Sequence, residues 1–144
     1  MSNLLCPSTE YSLKVPFFDV DSMAIAWHGH YCKYFEIARC KLLDELGYNY
    51  LAMAASGYTF PIIDLHIKYV KPARFDQEIV VKAELIESHY RLKIRYQICD
   101  VLTRAVLTKG HTIQAAVDCH THEMRLECPP ILRQKVRAWL DRVL

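Results

Sequence analysis

The sequence has no C-x-x-C pair, no G-x-S-x-G elbow and no G-x-x-x-x-G-K-[ST] loop. These absences argue against a zinc ribbon, a serine-hydrolase turn and a P-loop nucleotide site. No apolar run approaches the roughly 18 residues that a membrane helix needs. Only four glycines and six prolines occur in 144 residues, which excludes collagen-like or linker-like composition. Charge of one sign is not in excess: 18 Lys and Arg face 16 Asp and Glu, for a formal net charge of +2. Nucleic-acid binders usually carry a strong basic excess, so neither a nucleic acid nor a membrane is expected as partner. The opening stretch, MSNLLCPSTEYSLKV, lacks a basic start followed by an apolar run, so no secretory signal is expected. The six cysteines, at 6, 32, 40, 99, 119 and 128, are even in number and leave a disulfide framework formally open. Without a secretory signal, they are expected to be reduced thiols in a cytoplasmic protein.

What is present is a globular composition. Hydrophobic residues make up 52% and charged residues 24%, with 2 Trp, 9 Tyr and 5 Phe. A chain of this length buries roughly 68–70% of its unfolded surface, and one domain over residues 1–144 is expected.

Residues 11–18 read as a strand with Tyr11, Leu13, Val15 and Phe17 on one face, and Pro16 marks an edge or an end. The next strong signal is helical, from Tyr31 to Leu46. Tyr31, Tyr34, Phe35, Ala38, Leu42 and Leu46 form one stripe, with Lys33, Glu36, Lys41 and Asp44 opposite. Ile37 and Leu43 interrupt the polar face, as noise or as contacts to another chain. Gly47 stands where a C-terminal cap belongs. Residues 49–55 add a helical turn. The period then changes to two over residues 63–69, 77–87, 91–98 and 105–117. In the last of these, Ala105, Leu107, Ile113, Ala115 and Val117 are in phase. Pro129 and Pro130 open a short final helix.

Clean alternation is the pattern of an antiparallel sheet with one covered face. A single amphipathic helix covers several long strands only if the sheet curls around it. The expected fold is therefore α+β: a curved antiparallel sheet of about five strands wrapped around one long helix. Open edges on such strands invite pairing with a second copy, so a homodimer is expected.

The stretch VPFFDVDSMAIAWHGHYCKYFEIAR, from Val15 to Arg39, resembles the signature of hotdog-fold acyl-CoA thioesterases of the 4-hydroxybenzoyl-CoA thioesterase family. The matching positions are Phe17, Asp19, Asp21, Ile25, Ala26, Trp27, His28, Tyr31 and the run from Phe35 to Arg39. HIKYVKPARFDQEIVV resembles the family's turn between strands, through Tyr69, Pro72 and Asp76. The resemblance runs from about Tyr11 to the Pro129–Pro130 step. Two departures stand out: Ala24 replaces a Gly of the family's turn, and no Gly stands near Phe75.

The resemblance implies hydrolysis of an acyl-CoA or acyl-carrier-protein thioester to free acid and thiol. Coenzyme A is then part of the substrate, no other cofactor or metal is needed, and the homodimer is expected to pair into a tetramer. It places the nucleophile or general base on Asp21 and the oxyanion donor on the backbone N–H around His28, at the entry to the long helix. The His28 side chain can add a hydrogen bond. Met23, Trp27, Tyr58 and Phe60 are candidates to line the acyl pocket, and Arg91 and Lys93 to hold coenzyme-A phosphates. Each has a plainer reading. Asp19 and Asp21 also suit helix capping, His28 a partly buried hydrogen-bonded residue, the aromatics ordinary core, and Arg91 and Lys93 a solvated strand face. Asp19 is expected to be a structural turn residue, and His30 and Glu36 are also read as structural. His120 and His122, with Cys119 and Glu123, read as a polar loop. A hotdog acyl-thioester dehydratase and a non-catalytic acyl-thioester binding module remain as alternatives.

Overall fold

The computed structural model describes residues 5–144. Its elements in chain order are β1 (Ser8–Lys14), a 3-10 turn (Phe17–Asp19), α1 (His30–Leu46), α2 (Tyr50–Ala55), β2 (Tyr58–Thr59) and β3 (Ile62–Tyr69). These are followed by β4 (Glu78–Glu87), β5 (Leu92–Asp100), β6 (Val106–Gln114), β7 (Val117–Asp118) and α3 (Pro130–Val143). One five-stranded antiparallel sheet has the order β1-β4-β5-β6-β3, and β2 pairs with β7 in a separate two-stranded ribbon.

The helix α1 lies against the inner face of the sheet. It buries Tyr31, Tyr34, Phe35, Ala38, Leu42, Leu43 and Leu46. The expected stripe is present, and Leu43 joins it: the side chain is fully buried within this chain rather than offered to another. Gly47 ends the helix in the left-handed region, at φ 78°, where a side chain would be strained. The short α2 is capped by Asn49, whose side chain accepts the Ala52 N–H.

The sheet departs from the sequence reading in two places. β1 ends at Lys14 instead of running to residue 18, and Phe17 is exposed in the 3-10 turn. Pro16 has no N–H to donate to a ladder, so pairing stops before it. The expected strand 105–117 divides into β6 and β7 at the buried pair Ala115 and Ala116. The phase of β6 also differs. Its register pairs Gly110 with Tyr96 and Thr112 with Ile94, so Thr108, Gly110, Thr112 and Gln114 face the helix. Of the two apolar residues expected on the core face, Leu107 joins the core at the irregularity where Ile98 pairs with Thr108 and Cys99 with Val106, whereas Ile113, opposite Lys93, is buried on the other face.

Three interactions account for this inversion. The Phe35 ring sits over Gly110, where a Cβ would stand 2.7 Å from ring atom Cε2 and also meet the His66 carbonyl. The same ring stacks on Tyr96, with centroids 4.3 Å apart and planes 6° from parallel. Beyond it, the buried Arg39 donates from Nε to the Tyr50 hydroxyl at 2.9 Å and from Nη1 to the Tyr96 hydroxyl at 3.2 Å. Thr112 bonds the Tyr96 hydroxyl at 2.7 Å, and Gln114 donates to both Tyr50 and the Phe60 carbonyl. Burial works against the Arg39 charge, but Tyr96 and Tyr50 more than offset it and raise the pKa above the ordinary arginine value. Thr112 and Gln114 thus face inward as partners of the two tyrosines that hold the buried Arg39 charge.

A second buried charge fastens the start of α1. Asp19 is 1% exposed, accepts from Lys33 Nζ at 2.6 Å and from the Tyr34 hydroxyl at 2.8 Å. Its own carbonyl accepts the Trp27 N–H at 2.9 Å. Burial pushes the carboxyl pKa up, but the hydrogen bonds from Lys33 and Tyr34 and the Lys33 charge outweigh it and hold it below the ordinary value.

All six cysteines are free thiols. Burial raises the Cys128 thiol to about 11, which keeps it protonated at neutral pH.

Two predictions follow from these anchors. Gly110→Ala crowds the Phe35 ring and the β3 backbone, and should lower unfolding stability by about 1–3 kcal/mol, the usual cost of overpacking, in urea melts. Asp19→Asn should lose about 1.5–3 kcal/mol at neutral pH, as expected for hydrogen bonds to a charged group. Because the folded pKa lies below the unfolded value, Asp19's contribution is complete above the unfolded pKa, near about 4. It disappears as pH falls through the folded pKa. The stability gap between wild type and Asp19→Asn should therefore close in melts run in acid.

Candidate active site

The segment from Val20 to Ala26 is a small hairpin. Val20 and Ala26 form an antiparallel bridge, Ile25 bridges Arg74, and the Ala26 N–H donates to the Ala73 carbonyl at 2.7 Å. At its tip, the Asp21 N–H donates to the Ile25 carbonyl and the Ala24 N–H to the Asp21 carbonyl. Ala24 takes φ 59°, the left-handed conformation that suits glycine. The alanine noted as a departure from the family pattern thus closes the turn as glycine would, with the strain of a Cβ.

This turn holds the Asp21 side chain by one oxygen. Oδ1 accepts the Met23 N–H at 2.8 Å and the Ile25 N–H at 3.4 Å. Oδ2 has no partner among the described residues. The carboxylate is exposed and lines a cleft of about 290 Å³ together with Ile25, Ala26, His28, Tyr31 and the strand end from Tyr69 to Pro72.

Opposite stands the entry to α1. The Trp27 N–H is taken by Asp19, but the N–H groups of His28 and Gly29 have no acceptor among the described residues. Unpaired amides at a helix start favour negative charge. The His28 ring contacts Trp27, at 4.8 Å between centroids, and Trp27 lies edge-on to His30 at 5.5 Å. Gly29 is required here: a Cβ would run into the Trp27 ring. His30 turns away from the cleft, with Nδ1 3.8 Å from Asp19 Oδ1.

The structure therefore brings Asp21 and His28 into one cleft. Met23 and Trp27 do not line it: the Met23 N–H bonds Asp21, the Trp27 ring contacts His28, and the two side chains are 72% and 50% exposed. Tyr58, Phe60, Arg91 and Lys93 are elsewhere in the chain. Tyr58 pairs with Asp118 in the small ribbon. Phe60 is buried against Tyr48, centroids 5.9 Å apart. Arg91 pairs with Glu87, and Lys93 is opposite Ile113. All four lie toward the Ile62 and Gln114 end of the strands, whereas the cleft lies at the Tyr69 and Thr108 end. Glu36 is 3.7 Å from the buried Arg39, a structural partner as expected. His120 and His122 are exposed in a turn held by Asp118, and no group of three or more metal-ligating side chains occurs among the described residues.

Sequence reasoning did not assign Tyr31, Tyr69 or Lys71 to the cleft. Tyr31 was visible as part of the helix stripe and of the family-like signature, with no role at the cleft. Tyr69 and Pro72 were visible as a turn motif, which places Lys71 between them.

A family model described as Thioesterase-like superfamily matches residues 15–140. A protein of Bacillus subtilis (strain 168) named YneP, a candidate acyl-CoA thioesterase, is 32% identical over 69 residues, 48% of this chain and 50% of its own. The acyl-CoA thioester hydrolase YbgC of Escherichia coli O6:H1 is 24% identical over 75 residues, 52% of this chain and 56% of its own. The chain thus spans about half the length of these curated relatives. The DHNA-CoA thioesterase of Staphylococcus aureus superposes with a TM-score of 0.74 over 93% of this chain and 87% of that one, at 23% identity, a likeness of fold. The family match spans the cleft loop, α1 and every strand but β1, and the chain belongs to the thioesterase-like superfamily, with its hotdog fold.

Proposed function

We propose that the protein hydrolyses acyl-CoA thioesters, or acyl groups on acyl carrier protein, to the free acid and a thiol. The observation that carries this reading is the pairing in one cleft of the Asp21 carboxylate with the unpartnered amides at the start of α1. The names of the YneP and YbgC relatives support the same class of substrate.

In the general-base form, Asp21 takes a proton from water as the water oxygen attacks the thioester carbonyl. The carbonyl oxygen becomes an oxyanion held by the His28 N–H, and the tetrahedral intermediate expels the thiolate, which is then protonated. One preorganised donor of this kind is worth about 2.7–4 kcal/mol in the transition state. In the nucleophilic form, Asp21 attacks the carbonyl carbon and expels the thiolate, which is protonated, and water then hydrolyses the resulting anhydride to the free acid and the Asp21 carboxylate. The chemistry needs no metal or further cofactor. The His28 side chain adds a hydrogen bond at the cleft wall, and Met23 and Trp27 meet the acyl or pantetheine part.

A second copy completes the site in this reading. β3 is a sheet edge, and Ile62, Ile63, Leu65 and Tyr69 along it are each 44–50% exposed. Antiparallel pairing of two such edges sets the Ile62 end of one strand beside the Tyr69 end of the other. Tyr58, Phe60, Arg91 and Lys93, remote within one chain, then come from the second copy toward the cleft. The dimer is proposed to pair further into a tetramer. No helix among the described residues is long and apolar enough to cross a membrane, and the six free thiols favour a cytoplasmic setting.

Asp21→Asn keeps an oxygen for the Met23 N–H and should fold normally. Thiol release from a panel of short, long and aromatic acyl-CoAs should fall at least about 100-fold, the lower range for loss of general-base catalysis. A fully active variant would reject the reading. Sedimentation should show the wild type at dimer mass or above, and Ile63→Lys with Leu65→Lys should shift it toward monomer and lower turnover. A wild type that sediments as an active monomer would remove the second copy from the site.

A further inference from the structure

We infer that Tyr69 is a positioning residue that holds the oxyanion-binding turn in its working geometry, an inference that rests on the thioesterase reading above. Tyr69 is the last residue of the edge strand β3 and is 48% exposed. Its hydroxyl donates to the His28 carbonyl oxygen at 2.9 Å. Among the described residues this is the one hydrogen bond between β3 and the segment 20–30. The ring is braced from two sides, edge-on to Tyr31 at 5.0 Å and to His28 at 6.4 Å between centroids.

The bond matters because of where the His28 carbonyl stands. Its other partner is the Tyr31 N–H at a long 3.4 Å, so the first turn of α1 is weakly closed from within. The helix is capped by Gly29, which offers no side-chain hydrogen bond. First turns without a cap fray. The peptide planes on both sides of His28 carry the two unpartnered amides, and a planar peptide turns its N–H and C=O together. Holding the His28 carbonyl therefore fixes the Gly29 N–H directly and the His28 N–H through the shared residue. An oxyanion site works only if its donors are aimed before the charge develops. Tyr69 also lines the cleft itself, so its hydroxyl is set between the edge strand and the helix entry.

A half-exposed side chain at a strand end contributes little to global stability, so loss of its hydroxyl should register in turnover rather than in folding. Tyr69→Phe keeps the ring and removes only the hydroxyl. The expected result is a kcat about tenfold lower or more, with KM nearly unchanged and the melting temperature retained. Backbone 15N relaxation provides a readout independent of activity: order parameters of the His28 and Gly29 amides should fall in the variant. A variant with wild-type kcat and unchanged amide order overturns the inference, as does one whose loss lies wholly in KM or in melting temperature. The Asp21→Asn variant separates this failure from failure of the thioesterase reading. If Asp21→Asn is inactive while Tyr69→Phe is fully active, only the role of Tyr69 falls. If Asp21→Asn is fully active, the reading beneath it falls, and the relaxation result still reports whether Tyr69 orders the turn.

Discussion

Where the long helix crosses the sheet, one strand offers no side chain at all. Gly110 leaves room for the Phe35 ring, which rests on the β6 backbone and stacks against Tyr96. This contact sets how closely α1 approaches the sheet and how far it is shifted along its axis. A helix of 17 residues is stiff, so an anchor in its second turn also decides where its first turn emerges. His28 and Gly29, the residues that lead into that first turn, carry the unpartnered amides beside the cleft. The candidate site is thus placed by a packing constraint two turns of chain away from it, and a methyl group at residue 110 would disturb both.

The two buried charges extend the same logic. Asp19 and Arg39 would each be costly in the core without partners. Tyrosine supplies most of what they need. Tyr34 donates to Asp19, and Tyr50 and Tyr96 accept from Arg39. Tyr31 accepts the Ala73 N–H, and Tyr69 donates to the His28 carbonyl. A phenol ring packs as an apolar body while its hydroxyl reaches a polar group. The abundance of tyrosine in the chain, nine residues, finds its use here. Hydrogen bonds from these hydroxyls tie the helix to the loop before it, to β5 and to the edge strand. The result is a site on a short turn that is held from three directions by rigid elements.

The edge strand has a double position in this arrangement. β3 closes one side of the sheet and lines the cleft, yet most of its residues are exposed within one chain. Its apolar side chains are those of an interior strand, while its surroundings are those of a surface. Exposed apolar edges are a liability unless paired. The strand we infer to position the helix entry is therefore also the edge proposed to pair with a second copy.

Much of the fold was legible in the residues. The stripe from Tyr31 to Leu46 with Gly47 behind it specified α1 almost to its ends, because helix periodicity and a left-handed cap are local properties. The alternation of Leu92, Ile94, Tyr96 and Ile98 specified a strand with one buried face for the same reason. Asp21 and His28 were singled out by the resemblance of Val15 to Arg39 to the family signature, and both line one cleft. The face of β6 was not legible. Its apolar phase pointed Ile113 inward along with Leu107, and Leu107 does reach the core, but beyond it the core needed a missing Cβ for Phe35 and hydroxyl and amide partners for the Arg39 network. Nor could sequence show that Tyr58, Phe60, Arg91 and Lys93 lie at the far end of the strands from Asp21, or that Tyr69 reaches back to His28 across 41 positions. By itself the sequence determined which segments are helix and which are strand, and where α1 stops, since those depend on neighbours a few residues apart. Only the tertiary structure decided which faces meet and which polar groups find each other, since those depend on contacts between distant segments that no local period encodes.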